Sequence, residues 1–99
     1  MATHIVAWNY RAEVSAEERA RLNRERDAAF AKLIGVIPGM TSVRFVYDML
    51  PGSNRGFITI SEHETEADIQ AYAAHPEHNR LADLYVRPFV EDRVILNFV

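Results

Sequence analysis

The 99-residue sequence predicts one α+β domain in the order βαββαβ, a four-stranded antiparallel sheet carrying its helices on one face. Three observations predict it: alternating β-rich segments at both ends of the chain, two capped helical segments between them, and strands that are apolar on both sides. The third observation adds a second copy of the chain to the fold.

The run Thr3 to Tyr10, dense in β-branched and aromatic residues, reads as the first strand. Ser15 stands three residues before Glu18, acidic residues fill the turn that follows, and Lys32 lies near the far end, which predicts a helix over 16–34. Leu22, Ala29, Phe30, Leu33 and Ile34 form its apolar side. Gly35 ends the helix and Pro38-Gly39 makes a turn. Strands over 42–50 and 56–63 follow, joined by Pro51 to Arg55 in a hairpin-type connection.

Thr65 and Asp68 repeat the capping signal and open a short helix in which Ile69, Tyr72 and Ala73 share a face. Pro76 suits a first helical position and begins a further turn or two. A last strand over 93–99 completes a ferredoxin-like domain spanning 1–99, without repeats or linkers.

Two helices and an extra turn cover only one face of such a sheet, so its other face should alternate into polar residues if it met water. It does not. His4, Val6, Trp8 and Tyr10 oppose Ile5 and Ala7; Val43, Phe45 and Tyr47 oppose Val46; Val94, Leu96 and Phe98 oppose Ile95 and Val99. An apolar sheet face of that extent is covered by an identical one under two-fold symmetry, which predicts a homodimer through the sheet face.

Composition narrows the chemistry. The chain has no cysteine, which excludes disulfides, thiolate metal sites and a cysteine nucleophile. A net charge of −3 gives no reason to expect nucleic-acid binding. Arg19 to Arg26, interleaved with Glu17, Glu18, Glu25 and Asp27, reads as a solvated helix face. Neither a basic, apolar leader nor a membrane-length apolar run is present, so a cytoplasmic location away from membranes is the expectation. His75 and His78 flank Pro76 at a helix start, where the rings need not converge, so no metal site is expected.

The most informative segment is Tyr72-Ala73-Ala74-His75-Pro76-Glu77-His78. With His4-Ile5-Val6, Ile37-Pro38-Gly39, Ser61-Glu62-His63-Glu64 and Val90-Glu91-Asp92, in that order and spacing, the chain resembles the stress-responsive dimeric α/β barrel (Dabb) family along nearly its whole length. That resemblance implies a dimeric α/β barrel. It is similar at these positions to a member of the family that is a plant polyketide cyclase of the olivetolic acid type, which closes a linear polyketide by aldol condensation without a cofactor. The resemblance implies His78 as general base and Tyr72 as its partner at the substrate oxygen. Two departures stand out: Phe30 replaces a tyrosine of the first helix, and the histidine of the third strand has no clear counterpart.

The chemistry suits the residue types. A neutral imidazole can take a proton from carbon flanked by two carbonyls, and a phenol can donate to the oxygen on which charge develops. His78, Leu81 and Tyr85 recur at spacings of three and four, and Tyr72 shares its side with Ile69. The candidate site is therefore His78 and Tyr72 as catalytic groups, with His4, Phe30, Ile69, Leu81 and Tyr85 lining a substrate cavity. Structural readings stand beside it: His78 bonded to backbone carbonyls at the helix junction, His4 bonded to a neighbouring strand, His75 as a helix-start residue, His63 at a strand end facing solvent.

The sequence leaves open whether the protein is an enzyme. A cofactor-independent acid/base lyase or cyclase on a small carbonyl compound leads; a non-catalytic dimer binding a small molecule or serving a stress response, and a cofactor-free monooxygenase of the antibiotic-biosynthesis type, are the alternatives.

Overall fold

A computed structural model describes residues 1–99. In chain order these form β1 (Ala2–Tyr10), α1 (Ala16–Ala31), β2 (Met40–Val46), β3 (Phe57–His63), α2 (Glu66–Ala74), α3 (Pro76–Tyr85), a 3-10 turn (Arg87–Phe89) and β4 (Val90–Phe98). The sheet is antiparallel throughout, in the order β2-β3-β1-β4. This is the ferredoxin-like arrangement the sequence predicts. No helix is long and apolar enough to cross a membrane.

Each helix begins where a side chain satisfies its free amides. Ser15 Oγ accepts from the Glu18 amide at 3.1 Å, and Thr65 and Asp68 close a reciprocal capping box. At the third start His75 Nδ1 accepts from the Glu77 amide at 3.1 Å, with Pro76 in the first position. That cap starts a ten-residue helix, longer than the turn or two expected, because Leu81 and Ala82 continue to find burial.

Other boundaries shift for identifiable reasons. α1 ends before residue 34, since the amides of Lys32 and Leu33 bond three residues back to Ala29 and Phe30 and tighten the last turn. β2 stops at Val46, its last partner being Ile58. β4 starts three residues early, and its pairing with β1 slips: Tyr10 faces Val90 and Asn9 faces Glu91, but Ala7 faces Val94. The extra residue is a β-bulge, with Asp92 at a φ of 59°.

Gly39 has a φ of 82°, and a Cβ there would fall 2.2 Å from the Asp68 carboxyl carbon. Only glycine lets this connection pass the capping box of α2.

The helices cover the sheet face that carries Val6, Trp8 and Phe57, and the core closes with Phe30, Tyr72, Leu81 and Val86. Arg26 corrects the reading of its segment as solvated. Its neighbour Arg21 does pair with Glu18 and Glu25 at the surface, whereas Arg26 is fully buried. Its guanidinium lies 4.6 Å over the Phe57 ring, donates from Nε and Nη2 to the Tyr85 carbonyl at 3.1 and 2.8 Å, and donates from Nη1 to the Tyr10 hydroxyl at 2.9 Å. A planar, permanently charged fork can saturate these acceptors while stacking on aromatic rings.

On the opposite face Ile60, Ile5 and Leu96 stand in one row across β3, β1 and β4, and Ile58, Ala7 and Val94 in the next. Leu96 is 55% and Phe98 52% exposed in the single chain. The second apolar face inferred from alternation is present and uncovered.

Candidate functional site

A cavity of about 390 Å³ opens between the sheet and the α2–α3 segment. β1 contributes His4, Val6 and Trp8 at every second residue, α1 contributes Phe30, β2 Phe45 and β3 Thr59. Tyr72 and Ala73 enter from α2, His78 and Ala82 from α3, and Val86 and Arg87 from the turn that follows. Val90 to Arg93, with Ile95, complete the wall from β4.

Tyr72 and His78 are six residues apart, about 1.7 turns of a continuous helix, which would leave them about 120° apart around its axis. The break at His75-Pro76 removes that constraint. Tyr72 lies in the last turn of α2 and His78 in the first turn of α3, and their ring centroids lie 4.2 Å apart. His4 is 5.9 Å from the Tyr72 ring, and Phe30 is 6.4 Å from His78.

His78 is partly buried, and its Nδ1 is enclosed without a hydrogen-bond partner. Nε2 is thus the nitrogen left to meet a molecule in the cavity. Burial holds its pKa at about 4, below the ordinary 6.5; the Ala73 carbonyl opposes that shift, while Arg87, His4 and His75 add to it. Near neutral pH the ring is an uncharged proton acceptor. Tyr72 is 2% exposed, and burial raises its pKa, keeping the phenol protonated as a donor.

His4 Nδ1 donates to Asn97 Oδ1 at 2.5 Å, given the amide orientation shown, which leaves Nε2 as the imidazole's acceptor. His63 corrects an expectation. It is fully buried, because it alternates with Phe57, Thr59 and Ser61 on the helix-covered face of β3. Its Nε2 and Ser61 Oγ are 2.9 Å apart, and its ring lies 5.2 Å from Tyr72 and 6.3 Å from His4. Burial first, and His4 second, lower its pKa, with Asp68 acting against them.

The predicted lining divides. His4, Phe30, Tyr72 and His78 meet at the cavity. Ile69 is buried but opens on a separate hollow beside Glu66 and Asn97. Leu81 and Tyr85 flank a groove against Ala29 of α1 and Leu33 just beyond its end. The cavity stripe of α3 is His78, Ala82 and Val86 at a spacing of four, and Leu81 and Tyr85 lie one residue earlier, about 100° round the helix. Thr59, Asn97, Arg87 and Arg93 carry no signal in the sequence that marks them for the site; strand alternation places Trp8 with His4, but Asn97 and Arg93 follow only once the register of β4 is fixed. No group of three or more His, Cys, Asp or Glu residues is placed to hold a metal ion.

A family model described as "Stress responsive A/B Barrel Domain" matches residues 2–99. Among solved structures, a dimeric protein of unknown function and ferredoxin-like fold from Bacteroides fragilis is 25% identical, with a TM-score of 0.85 over 98% of this chain and 93% of that one. A Dabb family protein with a ferredoxin-like fold from Mesorhizobium loti is 20% identical, with a TM-score of 0.76 over 99% and 94% of the two chains. Hydroxynitrile lyase from Passiflora edulis is also 20% identical, with a TM-score of 0.75 over 98% and 90%. No curated protein matches the chain.

Proposed function

Since the chain belongs to the stress responsive A/B barrel domain family, we propose that its cavity is the active site of a homodimeric, cofactor-independent acid/base enzyme acting on a small carbonyl compound by aldol-type bond formation or cleavage. One observation carries the reading: an uncharged imidazole and a protonated phenol stand ring to ring, 4.2 Å apart, on the wall of one largely apolar cavity. The hydroxynitrile lyase of similar fold is consistent with carbonyl chemistry in this framework.

In the forward direction His78 Nε2 removes a proton from carbon between two carbonyls, and the electron pair moves onto the adjacent oxygen. Tyr72 donates a hydrogen bond to that enolate oxygen. The enolate carbon then attacks a second carbonyl carbon, and the resulting alkoxide takes back the proton held by His78. A pKa near 4 makes His78 a weak base, so enolate stabilisation in a dry cavity must offset what basicity lacks.

The uncovered sheet face supports the homodimer. Rows of Ile, Leu and Val beside Phe98 exceed what a lone soluble chain ordinarily exposes, and a second copy supplies the matching surface.

The test is deuterium exchange at the central carbon of a 1,3-dicarbonyl, followed by NMR, beside product formation from a diketide-like substrate. His78→Ala is expected to lower both by roughly 100-fold or more with the fold intact. Unchanged rates in that variant would sink the proposal. Saturable ligand binding with no exchange in the unaltered protein would point instead to a binding module.

A further inference from the structure

We propose that Arg93 holds the anionic end of an elongated, mainly apolar ligand whose other end lies against Tyr72 and His78. The proposal rests on the preceding reading only for which end carries the reacting carbonyl.

β4 carries its bulge at Asp92. Beyond it, β4 turns Ile95 and Asn97 to the helix-covered side, opposite Val6 and His4, so Arg93 shares their phase. One strand face therefore runs from a cation at the exposed rim, past an apolar wall, to the amide that holds His4. Arg93 to Asn97 is four residues, about 13 Å of extended strand. Arg93, Tyr72 and His78 all line the one cavity, so a ligand that meets both the cation and the ring pair spans it from the rim inward.

The other charged groups at the rim are engaged or directed elsewhere. Arg87 donates to Asp83 at 2.7 Å and to Asn79 Oδ1 at 2.8 Å, and Asp92 accepts from Asn9 at 3.0 Å. Glu91 faces Asn9 across the ladder, on the alternate phase from Val90, and borders the neighbouring hollow with Tyr10 and Asn23. Arg93 belongs to none of the ion pairs of the chain. Its guanidinium is the cation at the mouth with its donors free, and a carboxylate fits that fork in two parallel hydrogen bonds. Behind it, Phe45, Val86 and the ring of Trp8 present largely apolar surface.

Trp8 is the sole tryptophan and lines the cavity, so its emission reports occupancy. ω-Phenylalkanoates of increasing chain length are titrated against the corresponding alcohols, in the unaltered protein and in Arg93→Gln, Arg93→Lys and Arg87→Gln. The carboxylate should bind about tenfold more tightly than its matched alcohol at one optimal length. Arg93→Gln should remove that preference without weakening the alcohol, and Arg93→Lys should restore part of it. Equal affinities, a preference that survives Arg93→Gln or disappears only in Arg87→Gln, or no binding at any chain length would overturn the proposal. Because the readout is affinity, a catalytically silent His78→Ala result leaves it standing.

Discussion

Asn97, two residues from the end of the chain, holds the imidazole of His4 at 2.5 Å, joining the last strand to the first across the cavity floor. Replacing Asn97 with Ala leaves His4 Nδ1 without this partner in an almost fully buried setting. The expected cost is about 1–2 kcal/mol, read as a lower urea midpoint at unchanged slope.

Arg26→Met keeps a long side chain but removes every donor now given to Tyr85, Tyr10 and Asn23. The Tyr85 carbonyl loses two charged hydrogen bonds inside the α1–α3 contact. A loss of about 3 kcal/mol or more is expected in chemical denaturation, and Arg26→Lys should recover little, because a point charge cannot fork and stack at once. A variant as stable as the parent would contradict this account of the buried cation.

Leu96→Lys places a charge on the uncovered sheet face, on both copies of a two-fold pair. The dimer should weaken by about 100-fold or more, so that sedimentation at micromolar concentration finds single chains. The cavity side of β4 is untouched, and the variant should remain folded by circular dichroism.

The imidazole of His78 titrates at about 4 in the fold against 6.5 when free, so between those values the unfolded chain binds the extra proton. Stability therefore rises with pH through that window and is flat with respect to this group above it. His63 is shifted the same way and adds to the slope. Allowing for the partial exposure of the ring, His78→Gln should abolish roughly 1–2 kcal/mol of the difference between pH 7 and pH 4, measured as paired urea midpoints. A slope identical in parent and variant would remove His78 from the account.

The parts legible in the sequence were those fixed by local periodicity and caps: the strand set of β1, the starts of α1 and α2, and the greasy second face of the sheet. Tyr72 and His78 were legible through the His-Pro-Glu-His segment. The rest depended on geometry that short-range spacing does not carry. Arg26 sits in a charged run like any solvated one, and only the packing of α1 on Phe57 reveals that one arginine turns inward. Leu81 and Tyr85 follow a legitimate helical spacing from His78, yet the stripe at intervals of four won because α3 must also cover α1. His63 was misread because a strand end looks like solvent until α2 is laid over it.

The supernumerary residue in β4 decides the identity of two surfaces at once. Counted from Val90, strict alternation would send Val94 and Leu96 inward and turn Ile95 and Asn97 out, since either set is greasy enough to pack. Drawing the bulge out into regular strand with position 92 kept would thus invert the parity beyond it, turning Asn97 away from His4 and Leu96 toward the helices, whereas deleting position 92 would leave Ile95 and Asn97 opposite Val6 and His4. The bulge that absorbs one amino acid keeps the cavity wall and the uncovered apolar face on opposite sides of the same ribbon.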